Sequence, residues 1–494
     1  MSPDRKKNIA LIALVGVVLL FSTACGQKPW IAEEQAALLA KNPGAYFDPN
    51  TGQLVDAQGN PITGNGGPGS TAGGSDGTQG SEGTEGSEGT EGETVPGEGD
   101  GDPDNNGGPP ADDGPAPSGG NPTGVTDDSI KVGFHAPLTG AAPVPSDSVT
   151  KGKDLYFKYH GKVVNGRAVE VVLRNDTYNP STAVAVCKEM VQSDKVFSLS
   201  GAAGTDQIAA CARYAESAGV PYISAGVTEA GLTGLRTYFA TSMTYPDQGP
   251  MLARYMASNL GAKGEKNGML WFNTASFQDA HSAFLSGMQS VGASVSYDGP
   301  YSKGSGDQQA QQAVTAMKTA QIENVYVLTS PAWFLRVLIA AKAQQYEPQW
   351  VGVGITMTFD TVATAGCRTG TLNGAKFFSP FPAWVDSKKY DPNFDKAVRQ
   401  FYPEENGGDD FMWLSWAFSV VGHKLMSLPG RNLTRERFIY YAERARVNPG
   451  MFPALSFSPT DRYGASTVVV NEAQCSGYKA GDAKWHTIAG YRSY

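Results

Sequence analysis

Beyond residue 128 the apolar positions fall into short runs separated by stretches with helical spacing. The runs IKVGFH (130–135), AVEVVL (168–173), KVFSLS (195–200) and VPYIS (220–224) predict buried strands. Between them, residues 183, 184, 187, 190 and 191, and again 208, 211, 212 and 215, are apolar at the spacing of a single helix face. Strand–helix alternation of this kind predicts a doubly wound parallel sheet. The pattern then restarts. Helices near 247–260, 277–291, 308–320 and 332–345 alternate with strands at GMLWF (268–272), ASVSY (293–297), NVYVL (324–328) and QWVGV (349–353). Two α/β sheets of one type predict two lobes with a cleft between them. The aromatic run FMWLSWAF (411–418) predicts a buried helix lying on a sheet.

The first 25 residues have a different texture. Arg5, Lys6 and Lys7 precede an apolar stretch of 13 residues, Ile9 to Phe21, which is short for a membrane span and suited to an export signal. Ser22, Thr23 and Ala24 then lead to Cys25. This resembles the bacterial lipoprotein signal, in which the cysteine becomes the lipidated first residue, although Ser22 stands where leucine is usual. Ordinary signal peptidase cleavage after Ala24 is the alternative. Residues 30–41 have the pattern of a short helix. From 61 to 124 the chain is Gly, Pro, Ser, Thr and acid, with SEGTEG repeated at 81–86 and 87–92. Too few apolar residues are present there to offset ordering entropy, so a flexible tether is expected. A chain of about 75 such residues reaches on the order of 50 Å.

Charge sharpens this division. Of the net −9, the segment 61–124 contributes 12 acidic residues and no Lys or Arg, leaving 39 basic against 36 acidic elsewhere. The folded part is near neutral, so no basic field is left to hold a nucleic acid. The single long apolar run excludes a polytopic membrane protein.

Besides Cys25 the chain has Cys187, Cys211, Cys367 and Cys475, which allow three pairings. Cys187 and Cys211 fall on the apolar faces of helices that a 2-1-3-4-5 sheet places side by side. An exported protein meets an oxidising compartment, so a bridge between them is expected. Cys367 and Cys475, in Gly/Ala/Ser-flanked segments read as loops, pair by elimination. Buried free thiols are the alternative for both pairs.

Four segments together carry a family resemblance: IKVGFHAPLTG (130–140), VVLRNDTYNPSTAVAVCKEMV (171–191), GVPYISAGVTEAGLT (219–233) and YPDQGPMLARYM (245–256). In this order they resemble the leucine/isoleucine/valine-binding family of type I periplasmic binding proteins, the solute receptors of ABC importers. The resemblance implies two doubly wound parallel-sheet lobes joined by a three-crossing hinge, with crossings near 241–249, 376–382 and 453–458. It divides the chain into a lipoprotein-type signal (1–25), an acidic tether (26–126), a first lobe (127–245 and 379–453) and a second lobe (246–378 and 454–494). It implies an extracytoplasmic receptor, lipid-anchored to the outer face of the cytoplasmic membrane, that closes on a small ligand and delivers it to ABC permease subunits. The expected form is a monomer, not an enzyme, with no cofactor and no metal. A ligand-sensing envelope receptor of the same fold is the alternative use of the clamp. An exported hydrolase has only the α/β texture behind it.

Ligands of such folds sit outside the carboxyl ends of the strands. There, Ser200-Gly201-Ala202-Ala203-Gly204-Thr205 leads from a strand into a helix, where small residues let backbone approach a ligand and the helix N-terminus offers N–H groups to a carboxylate. By resemblance Thr205, beside Gly204, holds the position of a carboxylate-binding serine, and Gly226, Val227 and Thr228 form the second ligand loop. The second lobe departs from the family. The glutamate that meets an amino-acid ammonium falls on Gly354, and no acid follows until Asp360. The family's ligand-facing tyrosines fall on Phe277 and on Ser330 or Pro331. A buried ammonium without an opposing charge is costly. The expected ligand therefore has one carboxylate or amide and an apolar or aromatic body, packed on Phe277, Trp333 and Pro145. The alternative for Trp333 is a place in the helix core. The five histidines are scattered without metal or catalytic spacing, and His135, at the end of the first strand, reads as a structural residue.

Overall fold

The computed structural model describes residues 115–494 apart from 141, 202, 225–231 and 476–482. It also describes one antiparallel pair, Tyr46–Phe47 with Leu54–Val55. Cys25, the expected helix over 30–41 and the ligand-loop residues Gly226, Val227 and Thr228 lie outside the described residues.

The first sheet contains β1 (Ser129–Ala136), β2 (Ala168–Asn175), β3 (Ser198–Gly201), β4 (Tyr222–Ser224) and β5 (Tyr238–Ala240), in the order β2-β1-β3-β4-β5. Every pairing is parallel. Period-two alternation decides what each face meets. Phe134 turns towards helix α8 (Asp410–Ser427) with Phe418, whereas Gly133 lies under Met190 of helix α1 (Pro180–Gln192). Helix α1 starts cleanly because the Asn179 side chain accepts hydrogen bonds from the amides of Ser181 and Thr182, with a proline in the first turn. Helix α2 (Thr205–Ser217) packs beside it, and the structure joins Cys187 to Cys211 across the pair, with Cα atoms 6.1 Å apart. Helix α8 is the aromatic run, and its Trp413 and Trp416 are fully buried. The serines on this apolar helix, Ser415 and Ser419, return their hydroxyls to the carbonyls of Phe411 and Ser415.

The second sheet repeats the plan. Strands β6 (Gly264–Phe272), β7 (Ala293–Tyr301), β8 (Asn324–Leu328), β9 (Gln349–Val353) and β10 (Lys376–Ser379) are parallel in the order β7-β6-β8-β9-β10. Helices α3 (Tyr245–Asn259), α4 (Ala275–Ser290), α5 (Asp307–Thr319) and α6 (Pro331–Ala343) alternate with them. Two further strands, β11 (Val468–Gln474) and β12 (Lys484–Arg492), extend the β10 edge in antiparallel register. The chain crosses between sheets after Ala240, after Ser379 and once more near its end. Residues 455–464 remain with the first sheet: Ala240 donates to the Arg462 carbonyl and accepts from the Gly464 amide. The third crossing thus falls between Gly464 and Val468, beyond the 453–458 expected.

Cys367 lies in helix α7 (Asp360–Thr369) rather than in a loop, and is joined to Cys475 with Cα atoms 5.4 Å apart. Its glycine neighbour made the segment look loop-like, but a Cβ at Gly366 would lie 2.5 Å from the Leu372 side chain, so the helix packs there through glycine. At the lobe boundary the Asp360 amide donates to Asp410 Oδ2 at 2.7 Å, and Phe359 packs on Phe411 at 4.4 Å. Among the described residues no helix is long and apolar enough to cross a membrane.

Candidate functional site

The carboxyl ends of both parallel sheets carry the candidate site. In the first lobe β3 turns into α2 through Gly204, whose φ of +85° only glycine adopts readily. A Cβ there would lie 2.2 Å from Gln207 Oε1 and 3.2 Å from the Tyr178 ring. As N-cap, Gly204 brings no side chain to the first turn, so the amides of α2 beginning at half-buried Thr205 have no side-chain cap. Positive partial charge at that terminus suits an anion. Pro145 is placed as the N-cap of the short helix Ser146–Gly152.

The second lobe supplies walls. Tyr245 opens α3, whose N-cap Thr244 accepts from the Asp247 amide at 3.1 Å and donates to the Asp247 carboxylate at 2.6 Å. The Tyr245 ring lies 5.8 Å from Phe277 in the first turn of α4. Its hydroxyl approaches Gly354, where a Cβ would come within 3.0 Å of it, and Gly354 has φ +115°. Burial holds the Tyr245 phenol well above its ordinary range, with Tyr178 adding to the effect, so it stays a neutral hydroxyl. The structure thus brings Phe277 and Gly354 together around Tyr245. The sequence reading missed Tyr245, although YPDQGP was visible as the crossing into the second lobe. Ser330 is committed to capping α6, accepting from the Trp333 amide at 3.3 Å. Trp333 packs on Phe272 at 5.7 Å and Tyr301 at 4.7 Å.

Charge is sparse here. Asp360, the first acid after Gly354, accepts from Lys484 Nζ at 2.9 Å and from the Trp485 amide at 3.2 Å, so it is drawn into the second lobe's own core. Burial raises its carboxyl despite Lys484. Lys303, just after β7, pairs with Asp206, the residue following Thr205. That ion pair joins the two lobes beside the anion-suited helix end, and spacing along the chain offered no signal for it.

Two other clusters lie elsewhere. His135 is fully buried, with Nδ1 2.7 Å from Asp176 Oδ2 and Nε2 2.6 Å from the Tyr222 hydroxyl. It lies within reach of both sulfurs of the Cys187–Cys211 pair, but its ring nitrogens and those sulfurs are already engaged, which leaves no ligand set for a metal. A cavity between the first sheet and α8 is lined by Val132, Phe134, Phe157, Ile223, Phe418 and Met426 among others. The Ser200, Ser415 and Ser419 hydroxyls at its edge are satisfied by backbone carbonyls, so it reads as a packing gap in the lobe.

Comparison with known proteins follows this geometry. A family model described as periplasmic binding protein matches residues 129–479. No curated protein sequence matches the chain. Among solved structures, the fatty acid ABC transporter substrate-binding protein from Thermomonospora curvata superposes with a TM-score of 0.65 at 19% identity, covering 77% of this chain and 95% of its own. A solute-binding protein of an ABC transporter from R. palustris, in complex with 4-hydroxybenzoate, gives 0.61 at 19% identity over 74% and 96%. The branched-chain amino acid transporter substrate-binding protein LivJ from Streptococcus pneumoniae, in complex with isoleucine, gives 0.59 at 20% identity over 73% and 100%. At these identities the likeness is one of fold.

Proposed function

We propose that this chain, which belongs to the periplasmic binding protein family, is the extracytoplasmic receptor of an ABC importer and captures a small carboxylate with an apolar or aromatic body between its lobes. The observation that carries the ligand class is the contrast at Gly354 and Asp360. Where an ammonium would need a carboxylate there is a glycine under the Tyr245 hydroxyl, and the nearest acid along the chain is held by Lys484. The opposite wall keeps amides fit for a carboxylate at the start of α2. Proteins of the same fold include a fatty acid ABC transporter substrate-binding protein and complexes with 4-hydroxybenzoate and isoleucine, so the fold admits both ammonium-bearing and ammonium-free ligands.

Calorimetry with benzoate, octanoate and leucine tests the reading. The acids should bind, and Thr205→Val should weaken them by about 1.5–3 kcal/mol, the worth of a hydrogen bond to a charged group. Micromolar binding of leucine with no response to the acids overturns it.

The receptor is tethered through a lipid on Cys25 and meets its permease at the membrane face. Cys25→Ser should shift the protein from the membrane to the soluble fraction. A wild-type protein already soluble and unlipidated rejects the anchor. Both cysteine pairs are disulfides in the exported protein, and non-reducing peptide mapping should recover Cys187 with Cys211 and Cys367 with Cys475. Any cross-pairing between the two sets rejects that assignment.

A further inference from the structure

We infer that the ligand carries a second oxygen, a hydroxyl or carbonyl remote from its carboxylate, which accepts hydrogen bonds from Trp333 Nε1 and Thr274 Oγ1 of the second lobe. The inference rests on the receptor reading above. Its ground is a pair of stranded donors. Trp333 is 2% exposed, yet its indole N–H has no hydrogen-bond partner. Thr274 is the N-cap of α4, where a threonine hydroxyl ordinarily accepts from the first turn, but it makes no capping bond and Oγ1 is buried without a partner. Thr244, Ser330 and Thr434, at the same position of their helices, all cap.

Both residues stand at the carboxyl end of the second sheet and share Phe272 as a neighbour. Phe272, the last residue of β6, packs its ring on Trp333, and its carbonyl accepts from the Thr274 amide at 2.8 Å. Tyr301, the last residue of β7, is the other ring packed on Trp333, and its carbonyl accepts from the Asn273 amide at 2.9 Å. Trp333 itself stands in the first turn of α6, directly after β8. Their setting is therefore assembled from the carboxyl ends of three adjacent strands, where ligands of such sheets bind. Phe277, three residues after Thr274, continues the wall towards Tyr245.

A buried donor left unpaired is costly, and such groups in a native protein call for an explanation. An acceptor arriving with the ligand supplies one. Its chemistry is constrained. An ammonium has no lone pair to offer an indole N–H. Tryptophan and threonine are neutral, so a neutral oxygen fits them better than a second carboxylate, which would be desolvated without a counter-charge. The threonine hydroxyl can also accept a hydrogen bond from a ligand hydroxyl. The ligand class becomes a hydroxy- or oxo-substituted carboxylic acid, bound with its acid at α2 and its second oxygen at Trp333.

The test is calorimetry of the full chain with benzoate and its 3- and 4-hydroxy derivatives. At least one hydroxylated acid should bind about tenfold more tightly than benzoate, the scale of one added hydrogen bond to a buried donor. Trp333→Phe keeps a ring but removes the donor, and Thr274→Val keeps the shape but removes the hydroxyl. Each should erase most of that preference, read as the ratio of the hydroxylated acid's affinity to that of benzoate in the same variant. Thermal melts identify a variant that does not fold, in which case the other variant decides. Equal affinity for benzoate and both derivatives overturns the inference alone, as does a preference that survives in the folded variants. Failure of every acid to bind overturns the receptor reading and this inference with it.

Discussion

The two halves of the cleft share one strand order and offer a ligand different things. The first lobe presents backbone: small residues between β3 and α2, a glycine with φ +85°, and a helix end without a side-chain cap. The second presents side chains, Tyr245, Phe277 and Trp333, with Gly354 beside the Tyr245 hydroxyl. On the function proposed above, a backbone anion site would recognise the carboxylate that a whole class of ligands has in common. Selection among members of that class would then fall to the aromatic half.

The largest effect should come from filling the backbone site. Gly204→Val forces a Cβ against Gln207 and a branched residue into a left-handed conformation, so acid binding should fall by more than about 100-fold. Calorimetry reads it, and near-normal affinity would mean the carboxylate docks elsewhere. On the aromatic side, Phe277→Ala should cost about 2 kcal/mol through lost packing, roughly 30-fold in affinity. A loss below twofold would remove Phe277 from the wall. Gly354→Glu tests the ammonium argument directly: with φ +115° and Tyr245 in the path of its Cβ, the variant should lose stability and gain no leucine binding. Leucine binding in that variant would show that the glycine alone sets ligand class.

Acid acts on one histidine of the first lobe and one carboxyl of the second in opposite senses. His423, on α8 of the first lobe, is pushed down to about 4 by burial, with Lys424 and His160 adding to it. The unfolded chain, with histidine near 6.5, binds the extra proton between about pH 6.5 and 4, so stability falls as pH drops through that window. Asp360, in the second lobe, is raised by burial and shifts in the opposite sense, holding its proton more firmly when folded. His423→Gln should retain roughly 2 kcal/mol more stability than wild type at pH 4 than at pH 7. Denaturant melts at both pH values give the comparison, and an unchanged difference rejects it. The smallest effect belongs to Lys303–Asp206, which is partly exposed: Lys303→Met should weaken closure by at most about 1 kcal/mol, and less at high salt. Small-angle scattering of the wild type and variant, with and without ligand, reports it.

Most of the frame was legible because burial writes itself as period. NVYVL and QWVGV coincide with β8 and β9, and the 2-1-3-4-5 order followed from alternating strands and helices. The antiparallel strands β11 and β12 were not read, since an edge pair added late in the chain leaves no strand–helix rhythm. Gly204 was placed by its position after a strand, and Thr205 and Phe277 by the family resemblance; their part in a ligand site stands as proposed. Tyr245 was read only as part of a crossing and Thr274 not at all; only their neighbours in space distinguish them. Lys303 and Asp206 lie 97 positions apart, so no local pattern could join them.

The placement of the two cysteine pairs has a mechanical consequence. Cys187 and Cys211 tie α1 to α2, and Cys367 and Cys475 tie α7 to the end of β11, so each link begins and ends inside one lobe. Neither staples the jaws to one another. Oxidation stiffens each jaw as a lever and leaves the pivot free. Reducing agents should therefore lower the melting temperature without altering the angle through which the protein opens.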